Sequence, residues 1–208
     1  MKVLLVNGSP HKNGSTAEAL KAVAKALNDC GVETEAVTIG DKAIKGCQGC
    51  AKCLKREKGK CITDDIVNEI YGRTDEFDGF IFGSPVHYAS ADGAICAFMD
   101  RLFYASGNRF AYKPAAAVVC CRRGGGTTAF DRINKYFQIS NMPVVSSKYW
   151  CVVHGRNAEE VQKDLEGMQI LRTLGRNMAW LLKCIEAGKK AGIEIPMAED
   201  PCITNFIR

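Results

Sequence analysis

Four cysteines in one short stretch are the residues of this chain best suited to electron or metal chemistry. Cys47-Gln48-Gly49-Cys50-Ala51-Lys52-Cys53, followed by Cys61, reads C-x2-C-x2-C-x7-C. Three thiolates at successive two-residue gaps can converge on one compact loop, and a fourth completes a four-sulfur set. Gly46, Gly49 and Gly59 permit the tight backbone. Neighbouring lysines ease thiolate formation and offset the negative charge of a cluster. Close packing of three cysteines with a remote fourth suits a 4Fe–4S cubane. Zinc sites more often pair two C-x2-C units across a longer gap, so a structural zinc fits less well. Thiols without any metal are the third reading, and all three stay open on spacing alone.

A second stretch is suited to holding an anion. Ser9-Pro10-His11-Lys12-Asn13-Gly14-Ser15-Thr16 follows an apolar run and directly precedes a helical pattern. A helix start offers unpaired N–H groups and partial positive charge. Ser9, Ser15 and Thr16 add hydroxyl donors, and Gly14 lets the backbone turn closely around a phosphate. His11 and Asn13 lie in the same turn. The spacing matches neither GxxxxGK[ST] nor GxGxxG, so a single terminal phosphate is expected, as in a mononucleotide such as FMN. The plainer alternative is a helix capped by Ser15.

Two further loops carry polar or glycine-rich sequence at strand ends. In Gly83-Ser84-Pro85-Val86-His87-Tyr88, Pro85 stiffens the turn, Val86 offers an apolar contact, and Tyr88 can stack on a planar ring or donate through its hydroxyl. His87 is either a donor to a ring carbonyl or a surface histidine in a turn. In Arg122-Arg123-Gly124-Gly125-Gly126-Thr127 the glycines either bring backbone N–H groups close to a ring or make a flexible turn. Arg122 or Arg123 can meet a reduced, anionic ring or a pyridine-nucleotide phosphate.

These loops need strands and helices to hold them, and the pattern supplies both. Apolar runs at 2–6, 32–38, 79–83, 115–120 and 149–153 read as strands, the third ended by Ser84-Pro85. Helices are expected over 15–29, from a cap at Asp64 or Asp65 to about 74, and over 90–104, 127–139 and 157–190, with Gly167 and Gly175 as weak points in the last. Alternating strands and helices imply an α/β fold with a five-stranded parallel sheet and helices on both faces. Ligands of such sheets bind beyond the carboxyl ends of the strands, where all three loops fall. Residues 40–63 form a cysteine-rich loop after the second strand, within a domain spanning 1–190. Residues 191–208 form a tail without periodicity, suited to wrapping over the surface or a partner.

Composition narrows the class. An apolar share of 47% with 25% charged residues is that of an ordinary globular protein. No apolar run is long enough to span a bilayer, and the short apolar start is unlike a signal peptide, so a cytoplasmic location is expected. The net charge of +5 is scattered except for Lys52 to Lys60, which holds five basic residues and no aromatic. Nucleic-acid binding is therefore not expected, and the stretch reads as a solvated loop whose positive field favours an anionic cofactor or partner. Eleven cysteines, an odd number, argue against a disulfide framework. Cys30, Cys96, Cys120, Cys151 and Cys184 are expected as buried small hydrophobes.

The order Gly8-Ser9-Pro10, Gly14-Ser15-Thr16, then Gly83 to Tyr88, then Arg123 to Thr127 resembles the NADPH-dependent FMN reductase family of the flavodoxin-like superfamily over roughly residues 1–190. The cysteine motif is similar to that of its iron–sulfur flavoprotein branch. The resemblance implies a flavodoxin-like fold with FMN held by Ser9, His11, Asn13, Gly14, Ser15, Thr16, Pro85, Val86, His87, Tyr88, Arg123, Gly124, Gly125, Gly126 and Thr127. It implies a 4Fe–4S cluster on Cys47, Cys50, Cys53 and Cys61, near a flavin across the interface of a homodimer or homotetramer. It implies exchange of electrons with NAD(P)H, a quinone or a ferredoxin-like protein. No side chain is required as a catalytic acid or base. The rival functions are an NAD(P)H-dependent FMN or quinone reductase without a cluster, and a non-catalytic flavodoxin-like binding protein.

Overall fold

The computed structural model describes residues 1–55, 60–197, 199–200 and 202–206. Gly59, Arg56 and Lys58 of the cysteine loop lie outside them. The apolar run at the start becomes strand β1 (Lys2–Asn7), and helix α1 (Ser15–Asp29) follows the anion-suited turn. Then come β2 (Glu33–Thr38), the cysteine loop with one short 3-10 turn (Lys52–Lys55), α2 (Ile66–Gly72), β3 (Gly79–His87), β4 (Ser90–Ala91), α3 (Gly93–Ser106), β5 (Ala115–Cys121), α4 (Gly126–Ile139), β6 (Val152–His154), α5 (Ala158–Lys163) and α6 (Leu165–Lys190).

The sheet order is β2-β1-β3-β5-β6, with each of these neighbours parallel, and the two-residue β4 pairs antiparallel with β3. The chain therefore reverses direction across the sheet between β1 and β3, and the loops leaving these strands part to form a crevice. Alternating residues feed two cores. Leu4, Val6, Phe80, Phe82, Ala117 and Val119 face α2, α3 and α4, while Val3, Leu5, Ile81, Ala116 and Val118 face α1, α5 and α6. Strands buried on both faces read as continuous apolar runs, which is why they were legible.

Several boundaries differ from the sequence reading. β3 continues through Ser84-Pro85 to His87, because Pro85 pairs with Cys120 at the end of β5 and the chain then turns back as a hairpin into β4. The helix expected from residue 90 begins at Gly93, capped by Asp92, whose carboxylate accepts the Ala94 N–H at 2.8 Å. The helix expected over 157–190 is broken at Asp164, which caps α6 by accepting the Gly167 N–H at 2.9 Å. Gly175 is no weak point. A Cβ there would lie 2.7 Å from that of Ala26 and 2.8 Å from the Val23 carbonyl, so its absence lets α6 close on α1. Cys120 and Cys151 are buried as expected, but Cys184 is exposed and Cys30 and Cys96 are partly so. No helix among the described residues is long and apolar enough to cross a membrane.

Both outer strands are broken or charged. On one side, residues 143–145 and then Cys151 and β6 run beside β5, with residues 146–150 looping out between them. On the other, β2 carries Glu33 and Glu35, and Glu35 is held by Lys2 at 2.7 Å and Arg73 at 2.7 Å. Hydrogen bonds from Arg73 and then Lys2 hold the Glu35 carboxyl at about 2, against an ordinary 4.5. Its contribution to stability is therefore complete above ~4.5 and fades as pH falls toward 2. Glu35→Gln is expected to lower Tm at pH 7 but not at pH 2, in paired thermal melts. An equal deficit at both pH values would remove the ion pair as its cause.

Candidate functional site

The loops leaving β1, β3, β5 and β6 surround one cavity of about 760 Å³. Its floor is the turn from Ser9 to Thr16. Here Ser9 N–H donates to Asn7 Oδ1 at 3.0 Å, and the Ser9 hydroxyl accepts the His11 N–H at 3.2 Å, leaving its own proton to donate. Ser15 is the first residue of α1, not its cap. The cap is Gly14, which supplies no side-chain acceptor to the helix start. The N–H groups at the start of α1 thus have no side-chain cap, as an anion site requires. A Cβ on Gly14 would come within 2.9 Å of that of His11, so only glycine lets the turn close this tightly.

Two observations test whether these residues fit a flavin mononucleotide. The Thr16 hydroxyl is buried without a hydrogen-bond partner of ordinary geometry. It lies near enough the Cys120 thiol to draw down slightly a pKa that burial pushes up to about 12. An orphaned buried hydroxyl is costly unless a ligand or a shift of the turn satisfies it. The cavity is also long enough in volume for a drug-sized ligand, and its walls combine Val86 and Pro85 with Arg122 and Arg156. Both observations fit a planar, anionic cofactor with a terminal phosphate.

Of the expected contacts, Ser9, His11, Asn13, Gly14, Ser15, Thr16, Pro85, Val86 and His87 line this cavity. Tyr88 stands outside the lining, fully exposed at the tip of the β3–β4 hairpin with φ 47°. From the loop after β5 the lining takes Arg122, while Arg123 and Gly124 to Thr127 lie beyond it. Gly125 and Gly126 have a packing reason of their own. A Cβ on Gly125 would lie 2.5 Å from Ala89 Cα, and one on Gly126 would lie 2.6 Å from Val152 Cγ1. They let the loop close on the hairpin and on β6. The sequence reading missed Gly155, Arg156 and Asn157 after β6, although they too follow a strand's carboxyl end. The Ser15 hydroxyl donates to the Gly155 carbonyl at 3.4 Å.

His87 is more than a turn residue. Its Nδ1 lies 2.8 Å from Asp92 Oδ2, and Asp92 is held in turn by its own N–H donating to Ser84 Oγ at 2.9 Å. The carboxylate fixes the imidazole and leaves Nε2 to the cavity side or solvent.

The cysteine loop forms a second site on the α2–α3 side. Cys47, Cys50, Cys53 and Cys61 line one small cavity of about 20 Å³, together with Arg101 and Tyr104 of α3. Among the described residues no three His, Cys, Asp or Glu side chains are gathered closely enough to hold a metal ion. The donor set is nevertheless all sulfur and faces one space, which is the chemistry an iron–sulfur cluster or zinc needs. Burial pushes the Cys53 thiol up. Burial pushes Cys61 the same way, but hydrogen bonds from Thr63 and the Arg101 guanidinium outweigh it and leave Cys61 below the ordinary thiol value.

Comparison with known proteins agrees with this geometry. Residues 1–157 match the NADPH-dependent FMN reductase family. An iron–sulfur flavoprotein of Methanocaldococcus jannaschii is 32% identical over 194 residues, covering 89% of this chain and 100% of that one. One from Methanosarcina thermophila is 27% identical, covering 91% and 99%. Among solved structures, RosB with bound 8-demethyl-8-formylriboflavin-5'-phosphate superposes with a TM-score of 0.69 at 14% identity, covering 100% and 94%. An azoreductase from Bacillus anthracis gives 0.59 at 16% identity, covering 85% and 99%. The flavodoxin-like fold, the phosphate-suited turn and the full-length relatives lead to one conclusion: the chain is an FMN-dependent oxidoreductase belonging to the iron–sulfur flavoprotein branch of the NADPH-dependent FMN reductase family.

Proposed function

We propose that this protein is an electron-transfer oxidoreductase that pairs FMN in the crevice between β1 and β3 with a 4Fe–4S cluster on the cysteine loop. The observation that carries the pairing is the set of four cysteines lining one cavity, in a chain whose full-length relatives are called iron–sulfur flavoproteins. When bound, FMN exchanges electrons in ones or twos and the cluster in ones, which lets a two-electron donor serve a one-electron acceptor.

The chain's own residues bind and orient. The uncapped start of α1 and the hydroxyls of Ser9, Ser15 and Thr16 hold the phosphate. Pro85 and Val86 form an apolar wall, and the Asp92-fixed His87 offers a polar group at the cavity edge. Arg122 and Arg156 add positive charge at the mouth, where an anionic donor such as NAD(P)H would approach. A quinone or a ferredoxin-like protein serves as acceptor in this reading. The protein works in the cytoplasm as a homodimer or homotetramer, an arrangement that brings the cysteine loop toward a neighbouring flavin.

The second reading, an NAD(P)H-dependent FMN or quinone reductase without a cluster, is favoured by the ungathered cysteines and the small volume between them. An anaerobic UV–visible spectrum of freshly purified protein, before and after dithionite, decides between them. Flavin bands over a broad, reducible brown absorption are expected. Flavin bands alone, with no iron, would leave the simple reductase as the better account.

A further inference from the structure

Arg101 is a buried cation that flavin binding does not use. Its side chain is 1% exposed, on the rigid body of α3, and all its donors are engaged. Nη1 donates to Asp65 Oδ2 at 2.6 Å and to the Lys45 carbonyl at 3.2 Å. Nη2 donates to Asp65 Oδ1 at 2.9 Å and to the Thr63 carbonyl at 2.8 Å. The bidentate grip on Asp65 fixes the guanidinium plane and aims its remaining N–H, on Nε, at Cys61 Sγ, 3.4 Å away. One side chain thus clamps both ends of the cysteine loop and points a charged donor at one of its four sulfurs.

We propose that Arg101 is a positioning residue that sets the reduction potential of the metal centre on this loop, through its hydrogen bond to the Cys61 sulfur. The proposal rests on the two-cofactor reading. One-electron reduction adds negative charge to a sulfur-ligated centre. A fixed cationic N–H stabilises the more negative state, so it raises the potential. The acceptor of the electron is the cluster, its source in the test is dithionite, and no bond or proton changes place at Arg101. A lysine cannot reproduce the arrangement, because it has no planar fork to hold Asp65 while keeping a separate N–H on sulfur.

Removing Arg101 alone leaves Asp65 without its partner, so the test removes the pair as a unit. Arg101→Gln with Asp65→Asn keeps a residue suited to capping α2 and leaves no unmatched charge. Wild type and variants are reconstituted anaerobically with iron and sulfide, their iron and FMN contents measured, and the cluster titrated by electron paramagnetic resonance. The double variant is expected to keep FMN and iron while its reduced-to-oxidised ratio at a fixed potential falls about tenfold, the equivalent of ~59 mV for one electron. Asp65→Asn alone, which removes a negative charge and leaves Nε on Cys61, is expected to move the potential the other way.

A double variant whose cluster titrates as wild type overturns the proposal. If the double variant loses FMN and its fold, Arg101→Lys carries the test, with a lower potential expected and an unchanged one overturning it. A wild-type protein that takes up no iron sinks the two-cofactor reading and this proposal with it. That result is distinguishable, because no variant then shows a cluster signal.

Discussion

Gly40→Ala is expected to cost about 3 kcal/mol or more of stability, and to weaken FMN binding at least tenfold. Gly40 lies where the chain leaves β2 for the cysteine loop, and a Cβ there would sit 2.0 Å from the Gly8 carbonyl oxygen and 2.3 Å from the Ser9 carbonyl carbon. Those atoms are backbone, so no side chain can swing away, and the turn that holds the phosphate must shift. The neighbouring ion pair of Lys12 with Asp41, at 3.1 Å, ties the same two segments on the surface. Gly72→Ala, with nothing within 4 Å of its would-be Cβ, is the matched control. Thermal melts and FMN titration of the apo-protein check both variants. A Gly40→Ala protein with wild-type Tm and affinity would show that the turn tolerates displacement and is not the phosphate site.

Ser9→Ala with Thr16→Ala is expected to weaken FMN binding roughly 10- to 100-fold per charge-assisted hydrogen bond lost, while leaving the apo-protein nearly as stable as wild type. The asymmetry follows from the Thr16 hydroxyl, which is buried with no ordinary partner. Deleting an unsatisfied group costs the free protein little, whereas a phosphate loses a donor. Ser9→Ala gives up its acceptance of the His11 N–H at 3.2 Å, a part-buried contact whose donor belongs to an exposed residue that water can reach. Unchanged FMN affinity in the double variant would refute the assignment. A large loss of Tm without FMN would instead make these hydroxyls part of the fold.

The sheet was legible because β1, β3 and β5 are buried on both faces and spell out unbroken apolar runs. The bounds of α1 were legible because Gly14 and the Cys30-Gly31 pair punctuate a clean helical period. What escaped was governed by tertiary contact. β3 runs on to His87 because β5 offers Pro85 a neighbour, and no local preference announces that. The glycines at 125 and 126 read as flavin contacts from the sequence, and only the fold shows that Ala89 and Val152 also press against them and require their small size. Arg101 was invisible as a site residue because an arginine in the sequence Met99-Asp100-Arg101-Leu102 looks like any solvated helix residue. Only the fold brings it to Asp65 and Cys61. His87 was weighed as a lone histidine, since the partner that fixes it lies across a hairpin turn.

The interrupted strand beside β5 bears on how copies of this protein meet. An intact outer strand is a template: its free N–H and C=O groups can recruit another chain and extend the sheet without limit. Here β6 offers three residues, the segment before it swings out at 146–150 with Lys148 on it, and the opposite border is guarded by Glu33 and Glu35. Neither border can zip to its like. Growth of the sheet by edge-to-edge addition is thereby disfavoured at both borders, which guards the folded chain against open-ended fibres.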